Sequence, residues 1–144
     1  MRRLIVLATM LTVLALPAAA AAGGRPFTVP LTGAAERPGP GDPDGSGTAW
    51  LWVNYGQMEI CYEIFVENVT LPAVGAHIHR APVTDPGPVV VPLTNPDETG
   101  WSSGCAAVGD AALLKDILKN PDSYYVNVHT SDFGPGAVRG QLSK

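Results

Sequence analysis

The chain has 144 residues, with 13 acidic and 9 basic side chains, 16 glycines, 14 prolines, two cysteines and three histidines. That length supports a single domain with a real core. A net charge of −4 makes a poor polyanion binder and sets nucleic acid and anionic membranes aside. No glycine-rich phosphate loop, GxSxG or HExxH motif occurs, so the common nucleotide, hydrolase and zincin signatures are missing.

The chain opens with Met1-Arg2-Arg3, an uncharged apolar run over 4–16, Pro17 and a string of alanines to Ala22. A positive start, a short apolar stretch and small residues at the cleavage region predict a signal peptide over 1–22, followed by a domain over 23–144. The apolar run falls short of the roughly 20 residues that a membrane span needs. No span is expected once the signal is removed, and the expected location is secreted, extracellular or periplasmic. Without Arg2 and Arg3 the domain keeps 7 basic residues against 13 acidic ones.

In the exported domain, residues 27–31 form a short β-prone run. Residues 36–47 (ERPGPGDPDGSG) are loop, because proline and glycine dominate them. An EF-hand starting at Asp42 would need a carboxylate at its twelfth place, where Val53 stands. Residues 48–54 (TAWLWVN) and 57–68 (QMEICYEIFVEN) both alternate with period two, which predicts a hairpin turning at Tyr55-Gly56. Met58, Ile60, Tyr62, Ile64 and Val66 take its inner face. Further strands are expected over 89–93, 99–108, 124–130 and 137–142. The one helix is expected over 110–119, with Asp110 as N-cap, an apolar stripe of Leu113, Leu114, Ile117 and Leu118, and Asn120-Pro121 as the stop. Seven or so short strands and one helix predict an all-β fold, an antiparallel sandwich or barrel.

Cys61 and Cys105 lie in the exported part, where a lone pair of thiols is expected to form one disulfide. Closing that loop stabilises the fold by about 3–4 kcal/mol in the chain-entropy model. The CxxC spacing of a redox-active pair is missing.

The chemistry-bearing residues are the histidines. Residues i and i+2 of a strand share a face, so His77 and His79 can converge on one ion, and His129 joins them if its strand pairs with theirs. Three neutral imidazoles with an open fourth position suit zinc or copper. The competing reading is a structural cluster that orients turns through hydrogen bonds. The two-metal site of a copper–zinc superoxide dismutase needs about twice the histidines present. Arg139 has Glu63, Asp132 or a turn carbonyl as candidate partners, against the plainer reading of a surface ion pair of little value. Trp50 and Trp52 are read as sheet covering rather than a ligand platform. The serines lack an activating motif, so no catalytic residue is assigned.

The blocks FTVPLTGAAE at 27–36, Gly75-Ala76-His77-Ile78-His79, Gly87-Pro88-Val89-Val90, YVNVHT at 125–130 and Val138-Arg139-Gly140-Gln141-Leu142, in that order, resemble the CHRD domain. This domain is named for its occurrence in chordin and also occurs alone in secreted bacterial proteins. The resemblance spans 27–142. It implies an all-β, immunoglobulin-like extracellular module without established enzymatic activity, in which Asn127 and Arg139 belong to structural motifs. Two departures stand out. Arg80 follows His-Ile-His where the family has glycine, and Ala137 stands where the family has an acid. The resulting expectation is a non-catalytic extracellular binding module with an unidentified protein partner. The alternative is a mononuclear copper or zinc protein using His77, His79 and His129.

Overall fold

The structure, a computed structural model, describes residues 23–144; the expected signal peptide lies outside them. Eight strands form a single antiparallel sheet: β1 (Arg25–Thr32), β2 (Ser46–Asn54), β3 (Glu59–Glu67), β4 (Gly75–Arg80), β5 (Val89–Pro92), β6 (Trp101–Ala107), β7 (Tyr124–His129) and β8 (Val138–Gln141). Their order is β5-β4-β7-β8-β1-β2-β3-β6. The all-β expectation holds, in the form of one curled sheet rather than two stacked ones. Among the described residues, no helix is long and apolar enough to cross a membrane.

The sheet curls around an apolar inner face supplied mainly by β1, β2, β3, β4, β7 and β8. Val29, Leu31, Leu51, Ile60, Ile64, Ile78, Val126, Val128, Val138 and Leu142 are all essentially inaccessible to solvent. The curl brings β5 and β6 toward each other, and Thr94 bridges the seam. Its amide donates to the Tyr62 hydroxyl at 2.8 Å, its carbonyl accepts from Ser102 Oγ at 2.6 Å, and Tyr62 Oη donates to Thr94 Oγ1 at 2.9 Å. On the other side of the barrel, β1 and β8 pair through a single register position, Thr32 with Arg139. A side chain on Gly140 would collide there with the Pro30 carbonyl, so the bare backbone permits the close crossing.

The helix α1 (Ala111–Lys119) begins where expected. Asp110 accepts from the amides of Ala112 at 2.8 Å and Leu113 at 3.3 Å, which satisfies two otherwise free donors. Leu114 and Ile117 enter the core, and Leu113 and Leu118 pack partly buried beside them. Cys61 and Cys105 face each other across β3 and β6 and are disulfide-bonded, which ties the edge strand β6 to the sheet. Trp50 and Trp52 cover the outer surface half-buried, as expected of sheet covering.

Because Ile117 is wholly buried, Ile117→Ala is expected to lower stability by about 2–5 kcal/mol in urea unfolding. A loss below about 1 kcal/mol would mean that α1 does not contribute to the core.

Candidate metal centre

β4, β7 and β8 are neighbours, and their register decides what meets on the outer face. Gly75 pairs with His129, His77 with Asn127 and His79 with Tyr125; Asn127 in turn pairs with Arg139, and Tyr125 with Gln141. The alternation of strand side chains sends all of these residues to one face, while Ala76, Ile78, Val126 and Val128 go to the core. The three histidines expected to cluster do so. Ring centroids are 5.1 Å apart for His77 and His129, 5.5 Å for His77 and His79, and 6.3 Å for His79 and His129. One ligand nitrogen from each ring lies within 4.8 Å of the others. A second grouping of Glu59, Cys61 and Cys105 has its sulfurs committed to the disulfide.

An outer barrel face is normally wet, yet this one is roofed. Loop 81–88, between β4 and β5, folds over it and is pinned by Arg139, whose two terminal nitrogens donate to the carbonyls of Asp85 and Pro82, each at 3.0 Å. The guanidinium lies 3.5 Å over the Tyr125 ring, and Tyr125 stacks on His79 at 4.7 Å with an interplanar angle of 7°. Cation, phenol and imidazole therefore form one column. Arg139 is 1% exposed, so the surface ion pair considered from the sequence is wrong, as is pairing with Glu63 or Asp132. Its partners are turn carbonyls, because a guanidinium buried under a loop must satisfy its donors where water cannot reach. Burial lowers its pKa, against the opposing pull of Tyr125, Glu36 and Asp85.

Loop carbonyls set the tautomers of two of the histidines. His79 Nδ1 is 2.8 Å from the Gly87 carbonyl, and His129 Nδ1 is 2.9 Å from the Gly134 carbonyl. A carbonyl only accepts, so in each neutral ring the hydrogen sits on Nδ1 and Nε2 keeps its lone pair. Both acceptors are glycines that precede a proline, Gly87-Pro88 and Gly134-Pro135. Proline restricts the residue before it to extended conformations and so helps aim each carbonyl. Gly75 completes the arrangement by vacancy of another kind: a Cβ there would sit 3.1 Å from His77 Cε1 and 3.2 Å from His129 Cδ2.

Among the described residues, the buried side-chain atoms without a hydrogen-bond partner are Glu36 Oε1, His77 Nδ1, His79 Nε2, Asn127 Oδ1 and His129 Nε2. All five belong to this cluster and its immediate support. Left unmet, such atoms cost free energy in a folded protein. Lone pairs gathered without donors are what a cation requires. Burial holds the His77 and His79 pKa values below the ordinary histidine value, and the neighbouring imidazoles push the same way; for His79 the Gly87 carbonyl works against this. Both rings are thereby kept in the neutral form that ligates metal.

Glu36 was not legible as part of the site. It follows the short turn Gly33–Ala35 and, from a proline-rich loop, places its carboxyl against the backbone of Gly136, where any side chain would collide with it. The positive φ of 152° at Gly136 is a second reason for glycine there. The carboxyl lies in the field of Arg139 and beside the Asn127 side chain as a hydrogen-bond partner.

The chain matches the CHRD domain model over residues 27–142. It belongs to the CHRD domain family. The matched region contains every residue of the cluster. Neither the curated proteins nor the solved structures yield a match.

Burial raises the Glu36 pKa from 4.5 to about 7, more than Arg139 and the hydrogen bonds around it lower it. The fold favours the protonated acid, so this stabilisation is complete below about pH 4.5 and is lost as pH rises through about 7. Glu36→Gln, which stays neutral, is expected to gain about 1–3 kcal/mol on the wild type between pH 5 and pH 8 in urea unfolding. Parallel pH profiles for the two proteins would contradict this account of Glu36.

Proposed function

We propose that this CHRD domain is an exported binding module whose ligand is a single copper or zinc ion held by His77, His79 and His129. The observation that carries the reading is the convergence of three imidazoles, two of which are locked by the Gly87 and Gly134 carbonyls with Nε2 free. Backbone carbonyls that fix the far nitrogen of a ligating histidine are the usual outer support of a metal site. Metal–nitrogen bonds of about 2.1 Å require the three nitrogens to draw closer than their present spacing, a movement that falls to His77 and His129, which are less buried than His79.

The chemistry favours copper or zinc over calcium or magnesium, because the donors are neutral nitrogens rather than a ring of carboxylates. Three protein ligands leave a position for water or an exogenous group. The role proposed is binding, the role that membership of the CHRD domain family suggests. Export is supported by the signal-like leader, by the Cys61–Cys105 disulfide and by the family resemblance.

Purified domain dialysed against Cu²⁺ or Zn²⁺ at pH 7.5 is expected to retain one ion per chain. His129→Ala should weaken binding at least tenfold while leaving urea unfolding of the apo-protein nearly unchanged, because the side chain lies at the rim. Affinity should fall as pH drops below the ordinary histidine range, because burial lowers the pKa values of His77 and His79 and their nitrogens gain protons only there. A wild-type protein that retains neither metal at pH 7.5 overturns the proposal and leaves the cluster a structural one.

A further inference from the structure

The seam between β5 and β6, on a different part of the barrel from the histidines, carries a second feature that the metal reading does not use. Trp101 stands at the start of β6 and is 47% exposed. It stacks on Trp50 with centroids 6.2 Å apart and planes within 8°, and its ring lies 4.9 Å from that of Phe65. The indole is thus fixed in orientation while nearly half its surface stays free, which is unusual for so large an apolar side chain.

Beside it runs an open groove of about 500 Å³, lined by Trp101 together with Glu63, Thr94, Asn95, Asp97 and Ser103. The size falls within the range of small-molecule sites. The groove wall is fastened at several points. Thr94 is held by Tyr62 and Ser102 as the seam bridge. The Asp97 amide donates to the Trp101 carbonyl at 3.0 Å, and Asp97 Oδ1 accepts from the Thr99 amide at 2.8 Å and hydroxyl at 2.6 Å. Glu63, Asn95 and Ser103 project into solvent and offer two carboxylate oxygens, an amide and a hydroxyl.

We infer that this groove binds a neutral oligosaccharide, with Trp101 as the platform for a pyranose ring and Glu63, Asn95 and Asp97 as partners of its hydroxyls. A pyranose ring has an apolar C–H face that covers an indole and a rim of hydroxyls that donate to carboxylates and amides. The groove supplies both in adjacent positions on a wall that does not need ordering. Its charged side chains, Glu63 and Asp97, are acidic, which disfavours sulfated or uronic-acid chains and nucleic acid. A protein partner would be expected to need a larger apolar patch than one indole.

The test is a titration of the disulfide-bonded domain, followed by tryptophan fluorescence and by the Trp101 indole N–H resonance. The probes are β-1,4-linked hexasaccharides of glucose and of N-acetylglucosamine, and an α-1,6-linked mannose hexasaccharide. At least one neutral probe should give a saturable change in both signals. Trp101→Ala and Asn95→Ala should each weaken it at least tenfold, Asn95→Ala with unchanged urea unfolding and Trp101→Ala with a cooperative unfolding transition retained, while His129→Ala binds as the wild type does. The last arm separates this groove from the metal reading, which can fail without affecting it. No saturable change with any of the three probes at millimolar concentration overturns the inference. So does Trp101→Ala binding as tightly as the wild type, or a heparin-derived hexasaccharide binding better than the neutral ones.

Discussion

A single buried guanidinium organises the polar side of this barrel. Arg139 stands on the short strand β8, one of the least extensive in the sheet, yet reaches two carbonyls of loop 81–88 and covers the face of Tyr125. Without a cation there, those carbonyls would lie buried beside an apolar ring with no donor, and the loop would have no reason to close over the sheet. With it, the loop is held down, Gly87 is brought to His79, and the Gly87 amide reaches the Tyr125 hydroxyl at 3.2 Å. Gln141, paired with Tyr125 across β7 and β8, reinforces the closure by donating to the carbonyls of Ala81 and Asp122, each at 2.8 Å.

The consequence is a barrel with two interiors of opposite chemistry. The inner one is aliphatic and sets the fold. The outer one lies on the reverse of β4, β7 and β8 and is built from imidazole, phenol, amide, carboxyl and guanidinium groups. Because the same strands wall both, the apolar packing of Ile78, Val126 and Val128 fixes the spacing of His77, His79 and His129 on the other side. Rigid strands place a site more accurately than loops do, and here the three histidines stand on strands while the loops contribute backbone groups and the Glu36 carboxyl. Glu36 gives this layer an acid beside Arg139, and burial holds it near its titration point at neutral pH.

What the sequence disclosed follows from how local each signal is. The alternation of 48–54 and 57–68, the Asp110 cap and the stripe on α1 depend on neighbours along the chain, and all are observed. His77 and His79 were placed on one face by the period of a strand alone. The arrival of His129 needed the pairing of β4 with β7, which a resemblance could suggest and periodicity could not. For Arg139 a turn carbonyl was among the candidate partners, but its burial was not legible: an arginine between Val138 and Gly140 looks solvated, and its burial is imposed by a loop more than fifty residues earlier in the chain. Glu36 was invisible for a related reason: an acid in a proline- and glycine-rich stretch looks exposed, and only the bare Cα of Gly136 makes room for it. The two Gly-Pro pairs that aim the tautomer-setting carbonyls were in plain view, but their role depends on distances across space. Trp101 was assigned to its strand, but its partnership with Trp50 arises only from the curl of β2, β3 and β6.

The most direct measurement is X-ray absorption at the zinc edge of the domain loaded with one equivalent of Zn²⁺ at pH 7.5. The account predicts a first shell near 2.0–2.1 Å that contains three imidazoles, recognised by the outer-shell scattering of the rings, with any remaining position filled by oxygen. A first shell of oxygen alone, or one with fewer than two imidazoles, would contradict the claim that His77, His79 and His129 form a metal centre.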